Sequence, residues 1–224
     1  MTDFLGHLRA DCDAILRVLD GGDPGSLVSA CPGWTLQQLV EHVGSVHRWA
    51  TAIVRTGEAQ PEKEQPVADL APWFAEGADA LLSTLASADP DEPCWSFTTD
   101  RTKGFWIRRQ ALETVVHRWD AERAVGEPTR IDPALAADGV TEVVELMAPR
   151  QVRLERIPPL PYAVELRAVD TDHRWVLGEG AVEASVTAPA EVLLLLLWHR
   201  VDPGDPRVRS DGNAVDVLRL ALAP

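Results

Sequence analysis

The apolar residues of this 224-residue chain change period near Pro149, and that change limits the fold more than any other feature. Before it they recur at helical spacing. Leu5, Leu8, Cys12, Ile15, Leu16 and Leu19 form one such stripe, which ends at Gly21-Gly22. After it the pattern shortens. Tyr162–Ala168 (YAVELRA), Arg174–Leu177 and Ala181–Val186 alternate like half-buried strands. Pro189 then opens a helix over Ala190–Val201, followed by a short strand near Arg207–Arg209 and a last helix over Ala214–Leu222. The spacing therefore predicts a mainly α protein, with a helical bundle over residues 1–148 and a small α+β domain over 149–224.

Within the bundle the second helix has the clearest start. Cys31-Pro32-Gly33 is a turn, and Thr35 with Gln38 three residues later is a T-x-x-Q capping box. Trp34 is placed to staple against Leu39, and Gly57 should stop the helix after Thr56. Glu58–Gln65 (EAQPEKEQ) reads as a surface loop, and Leu70–Leu85 as a third helix. Asp89–Lys103 is irregular, and a loop of that length in a compact domain is often functional. Trp95 lies in it, either as core or as the roof of a pocket. A fourth helix covers Phe105–Val125 and a fifth Pro133–Met147.

Charge excludes several functions. The net charge is −14, which leaves no electrostatic footprint for nucleic acid or an anionic membrane. The longest apolar run, VLLLLLW at Val192–Trp198, is far short of the roughly 20 residues needed to span a bilayer. Three cysteines with no C-x-x-C argue against a disulfide framework and for a reducing compartment. The acidic N-terminus lacks the apolar stretch of a signal peptide, so the expected location is cytoplasmic.

Chemistry concentrates in two segments. In RRQALETVVHRWDAE, Glu113 and His117 are four apart, which brings them within about 40° on a helix. Such a pair is half a metal site. A third ligand must come from elsewhere, and the second helix carries two histidines. His42 and His47 are five apart and diverge by about 140°, so one helix cannot aim both at one ion. His47 falls near the centre of the apolar stripe and His42 on its flank. Burial favours His47, but a histidine at the stripe centre is more often a hydrogen-bonded core residue. Periodicity leaves the choice open. Asp120 falls near the ligand face and reads first as a surface ion pair, with a hydrogen bond to His117 as the alternative. Cys31 reads as a small residue packed at the start of the helix, with no base at readable spacing to make it a nucleophile.

GWTLQQLVEH, VHRWA and ETVVHRWDAE together resemble the DinB-like superfamily of metal-binding four-helix bundles. More closely, over essentially the whole chain, they resemble the actinobacterial maleylpyruvate isomerase family of mycothiol-dependent enzymes, with LLLLLWHR as a further similarity. That family joins a DinB-like bundle to a small C-terminal domain. The resemblance implies His42, Glu113 and His117 as ligands of a metal, usually zinc, because the family histidine follows the capping Ser/Thr by seven. It implies Arg200 as a catalytic arginine near the substrate, although His199 stands here where a glycine is expected. Arg108, Arg109 and Arg118 are further cations for substrate carboxylates.

A His2Glu set leaves zinc with net positive charge and an open position, the arrangement of catalytic zinc; nickel or another divalent ion suits the same donors. The family's thiol is mycothiol, which as thiolate adds to an activated double bond. The adduct rotates, and elimination gives the trans isomer. The expected function is thus a zinc-dependent isomerase or S-transferase that uses mycothiol on a small electrophile. The alternative is a non-catalytic metal-binding sensor or partner-binding module on the same bundle.

Overall fold

Thr35 starts the second helix in the manner read from the sequence. Its side chain accepts from the Gln38 amide, and its own amide donates to Gln38 Oε1 at 2.9 Å. Gly57 ends the helix with φ 73°, a left-handed conformation that costs glycine little. Both ends of the helix are therefore fixed, and so is the direction of every side chain it carries.

In the computed structural model, which describes residues 2–61 and 69–223, the chain divides into two compact units, Met1–Thr129 and Arg130–Pro224. The first holds α1 (Phe4–Gly21), α2 (Leu36–Thr56), α3 (Leu70–Ala86) and α4 (Lys103–Val125). α1 packs on α3 and α4, and α2 packs on the same two helices. Leu8, Ile15, Leu39, Ile53, Leu81 and Leu112 fill the centre. α2 and α3 approach closely at Gly44, where an added Cβ would collide with the Trp73 ring. The second half of the loop expected over Glu58–Gln65 lies outside the described residues. The Asp89–Lys103 segment is pinned rather than loose: Trp95 stacks on Trp106, and its carbonyl accepts from Trp106 Nε1 at 2.7 Å. Among the described residues no helix is long and apolar enough to cross a membrane.

α4 is unusual in being polar and buried at once. From Arg109 to Arg118 no residue has an exposed side. Arg118 shows how such a helix is tolerated. Its Nε donates to Asp11 Oδ1 on α1 at 3.0 Å, and its Nη1 to Glu122 and to the Thr129 carbonyl. Buried charge is stable when paired in this way.

The second unit holds α5 (Pro133–Glu142), a π-helical turn (Val143–Met147), α6 (Ala148–Arg153), β1 (Ala163–Ala168), β2 (Arg174–Leu177), β3 (Val182–Ala188), α7 (Ala190–Leu197), β4 (Arg209–Asp211) and α8 (Ala214–Leu218). The sheet order is β2-β1-β3-β4, antiparallel except for the parallel pair β1-β3. Val164 lies opposite Leu177 and Leu166 opposite Trp175. α7 packs on α5 and on β1 and β3. The break between the units falls after Thr129, earlier than the boundary after residue 148 read from the sequence. Pro149 does not stop the helical path. The π turn before it bonds the Ala148 amide to the Val143 carbonyl, and Pro149 sits in the first turn of the next helix, where its missing N–H costs little. α7 is shorter than expected because His199 takes φ 58° and turns the chain.

His47 is a core residue of the first unit. It is fully buried, its Nε2 lies 2.9 Å from Thr114 Oγ1 on α4, and its ring packs on Phe74. Burial drives its pKa down to about 3, so it is neutral in the folded protein. A folded pKa below the unfolded value of 6.5 contributes stability that is complete above that value and is lost as pH falls toward about 3. Acid titration of stability, followed by denaturant melts, should show that loss at up to about 1.4 kcal/mol per pH unit, with a shallower slope in His47→Gln. Equal slopes would show that His47 is free to protonate. Gly44→Ala should cost about 1–3 kcal/mol in the same melts through overpacking against Trp73; an unchanged midpoint would mean that α2 and α3 are not in close contact there.

Candidate metal centre

One side of α4 meets the flank of α2. Glu113 and His117 stand one turn apart on α4, and Glu113 Oε1 is 3.3 Å from His117 Nε2. From α2, His42 Nε2 reaches to 3.8 Å of the same oxygen. The His42 and His117 rings lie edge to face with centroids 5.4 Å apart. One ligand atom from each of the three residues can be chosen so that all lie within 4.8 Å of one another. His47, pointing the other way around α2, does not join them. The helix rotation fixed at Thr35 thus sends one histidine into the core and the other to the cluster.

The donor set suits a divalent ion. Two imidazoles and a carboxylate are ligands zinc accepts, and atoms about 2.0–2.2 Å from a tetrahedral ion sit roughly 3.4 Å from one another. The separations of 3.3 and 3.8 Å around Glu113 Oε1 are near that value. The cluster is closed on one side and open on the other: the Glu113 and His117 side chains are 9% and 8% exposed, that of His42 32%. Trp34 borders the open side with its ring edge-on to His42 at 5.2 Å.

Glu113 and His117 each have a buried partner on the same helix. His117 Nδ1 is 3.1 Å from Asp120 Oδ2, which turns the opposite nitrogen toward the cluster. Asp120 is 1% exposed, so the surface ion pair read for it gives way to an internal hydrogen bond. On Glu113, Oε2 accepts from Arg109 Nη2. Burial would raise the Glu113 pKa, but the Arg109 charge and the contacts with His117 and His42 hold the carboxyl well below the usual range. For His117 burial works downward, and the bonds to Asp120 and Glu113 override it and lift the pKa to about 9. Without a metal, the imidazole is an imidazolium between two carboxylates.

The other residues singled out from the sequence divide clearly. Arg118 is committed to the Asp11–Glu122 cluster and Arg109 to Glu113. Cys31 Sγ is 3.9 Å from Asp120 Oδ2, at the back of His117. Arg200 belongs to the second unit, where its Nη1 donates to the Trp198 carbonyl at 2.7 Å. With His199 and Arg219 it lines an open cavity of about 290 Å³. Arg109, a candidate cation for substrate carboxylates by sequence, is paired with Glu113 instead, and the i, i+4 spacing is the sequence signal for that pairing.

Comparison with known proteins gives this arrangement a context. Two crystal structures of the mycothiol-dependent maleylpyruvate isomerase, one of them of a histidine-to-alanine variant, superpose over 94% of this chain and 96% of theirs. Their TM-scores are 0.70 and 0.71 at 15% and 14% identity. They share the fold, a mostly helical protein with a small C-terminal sheet domain. Uncharacterized proteins from two strains of Mycobacterium tuberculosis are 26% identical over 174 residues, which is 74% of this chain and 88% of each of theirs. Residues 5–122 match the mycothiol maleylpyruvate isomerase N-terminal domain and residues 134–219 match the MDMPI C-terminal domain. Matched in both parts and over most of its length, the chain belongs to the mycothiol maleylpyruvate isomerase family.

Proposed function

We propose that the protein is a zinc-dependent enzyme that uses mycothiol to isomerise a small electrophile, or that joins the mycothiol thiol to one. The observation that carries this reading is the meeting of His42, Glu113 and His117 around one point, with His42 on the accessible side. Family membership supplies the thiol and the class of reaction. A divalent ion held there would supply a Lewis acid with an open position, able to keep a thiol sulfur as thiolate at neutral pH.

The chain's own residues have separate tasks in this scheme. His42, Glu113 and His117 would hold the ion. Asp120 accepts the hydrogen bond from His117 Nδ1 and fixes the ring. Trp34 covers the ring edge of His42 and narrows the approach of water. For the carboxylates of the substrate we assign Arg200, following the family resemblance. Arginine suits that role because its fork matches a carboxylate and it stays charged.

Zinc- and mycothiol-dependent isomerisation of maleylpyruvate by the wild type, absent from His117→Ala, is the direct test of activity; a zinc-loaded protein inert toward maleylpyruvate and related electrophiles would contradict the proposal. Metal analysis should find one ion per chain. His42→Ala and His117→Ala should weaken binding by more than the roughly 10–100-fold that an orienting partner contributes, and Asp120→Asn by about that amount. Because His117 holds a proton up to pH about 9, metal uptake at pH 7 should release it. Apparent affinity should then rise with pH and level off near 9; calorimetry in buffers of different ionisation enthalpy reads this, and pH-independent uptake would refute it. Arg200→Met should raise KM for the electrophile and leave metal content unchanged, whereas an unchanged KM would remove Arg200 from substrate binding.

A further inference from the structure

We propose that Arg109 is a positioning residue for the metal: by holding one oxygen of Glu113, it makes that carboxylate a one-oxygen ligand and keeps the bound ion strongly electrophilic. The inference rests on the metal reading above and deepens it.

The two oxygens of Glu113 have different company. Oε2 is held by Arg109 Nη2, while Oε1 alone faces both His42 Nε2 and His117 Nε2. The division is built into α4, since Arg109 lies four residues before Glu113 and its side chain is 7% exposed. A carboxylate with both oxygens available can grip an ion with both and use up a coordination position. One whose second oxygen is occupied by a guanidinium cannot, and the position stays available for a thiol.

Charge points the same way. Arg109 remains charged at any working pH, and burial strengthens its effect on its neighbour. It offsets the negative charge that Glu113 would otherwise donate, so an ion held by Glu113, His42 and His117 keeps more of its own. A role in stability alone explains less. An exposed i, i+4 pair contributes little, and a buried pair carries a desolvation cost that stability rarely recovers.

The test joins a structure with a spectrum. In a crystal structure of the zinc-loaded wild type, zinc should contact Oε1 of Glu113 only, with Arg109 still on Oε2. Zinc on both oxygens, with Arg109 displaced, would overturn the proposal. Cobalt-loaded Arg109→Met should keep one ion per chain, but its visible d–d bands should weaken as Glu113 adds its second oxygen. Its apparent affinity for mycothiol should fall by about 10-fold or more, within the range set by orienting partners. Arg109→Lys, which keeps the charge, should recover most of that affinity. An Arg109→Met spectrum and thiol affinity equal to wild type would sink this inference and leave the metal site standing. A wild type that takes up no metal would overturn both. If Arg109→Met fails to fold by circular dichroism, the zinc-loaded wild-type structure decides by itself.

Discussion

The charged groups on the inner stretch of α4 must be matched inside the bundle, and their partners come from α1, from α2 and from α4 itself. From Arg109 to Arg118 the helix has no exposed side, so water cannot serve its charges. Arg118 is matched by Asp11 and Glu122, Thr114 by His47, His117 by Asp120, and Glu113 by Arg109 and His117. Arg109, Glu113, protonated His117 and Asp120 carry two positive and two negative charges, so the group is balanced before any ion arrives. The candidate metal centre reaches solvent through His42, whose side chain is 32% exposed.

The capping box at Thr35 is the second determinant. Two histidines five residues apart cannot share a target, and the rotation of α2 decides which one meets α4's ligands. With the helix start fixed, His47 is turned toward Thr114 and Phe74, and His42 toward Glu113. The same few residues thus set a core contact and a functional one. The two differ in electrostatics: burial keeps His47 neutral, while paired carboxylates keep His117 charged.

Much of this was legible in the sequence because it depends on local rules. The helix stop at Gly57, the alternation that marks β1–β3 and the i, i+4 pair Glu113–His117 are all properties of short windows. What was not legible depends on tertiary context. Apolar periodicity reports how deeply a side chain lies, and so it ranked His47 above His42; it does not report which helix faces the flank. Asp120 read as a surface acid because most aspartates are, and only the packing of α4 buries it. The division after Thr129 was missed because a proline normally ends a helix, and the π turn over Val143–Met147 lets the path continue through Pro149. The separation of Glu113's two oxygens between Arg109 and the histidines is a matter of atoms, beyond any pattern of residue types.

Family membership joins the chain to the mycothiol maleylpyruvate isomerases, and the cluster of His42, Glu113 and His117 is where we propose its chemistry takes place. The claim at the centre of the account is that His42, Glu113 and His117 hold an ion that binds a thiol sulfur directly. Cobalt-loaded wild-type protein titrated with mycothiol tests it most directly. The account predicts a new sulfur-to-cobalt charge-transfer band in the near ultraviolet that saturates at one thiol per chain. A protein that holds one cobalt ion and shows no such band at saturating thiol would contradict it.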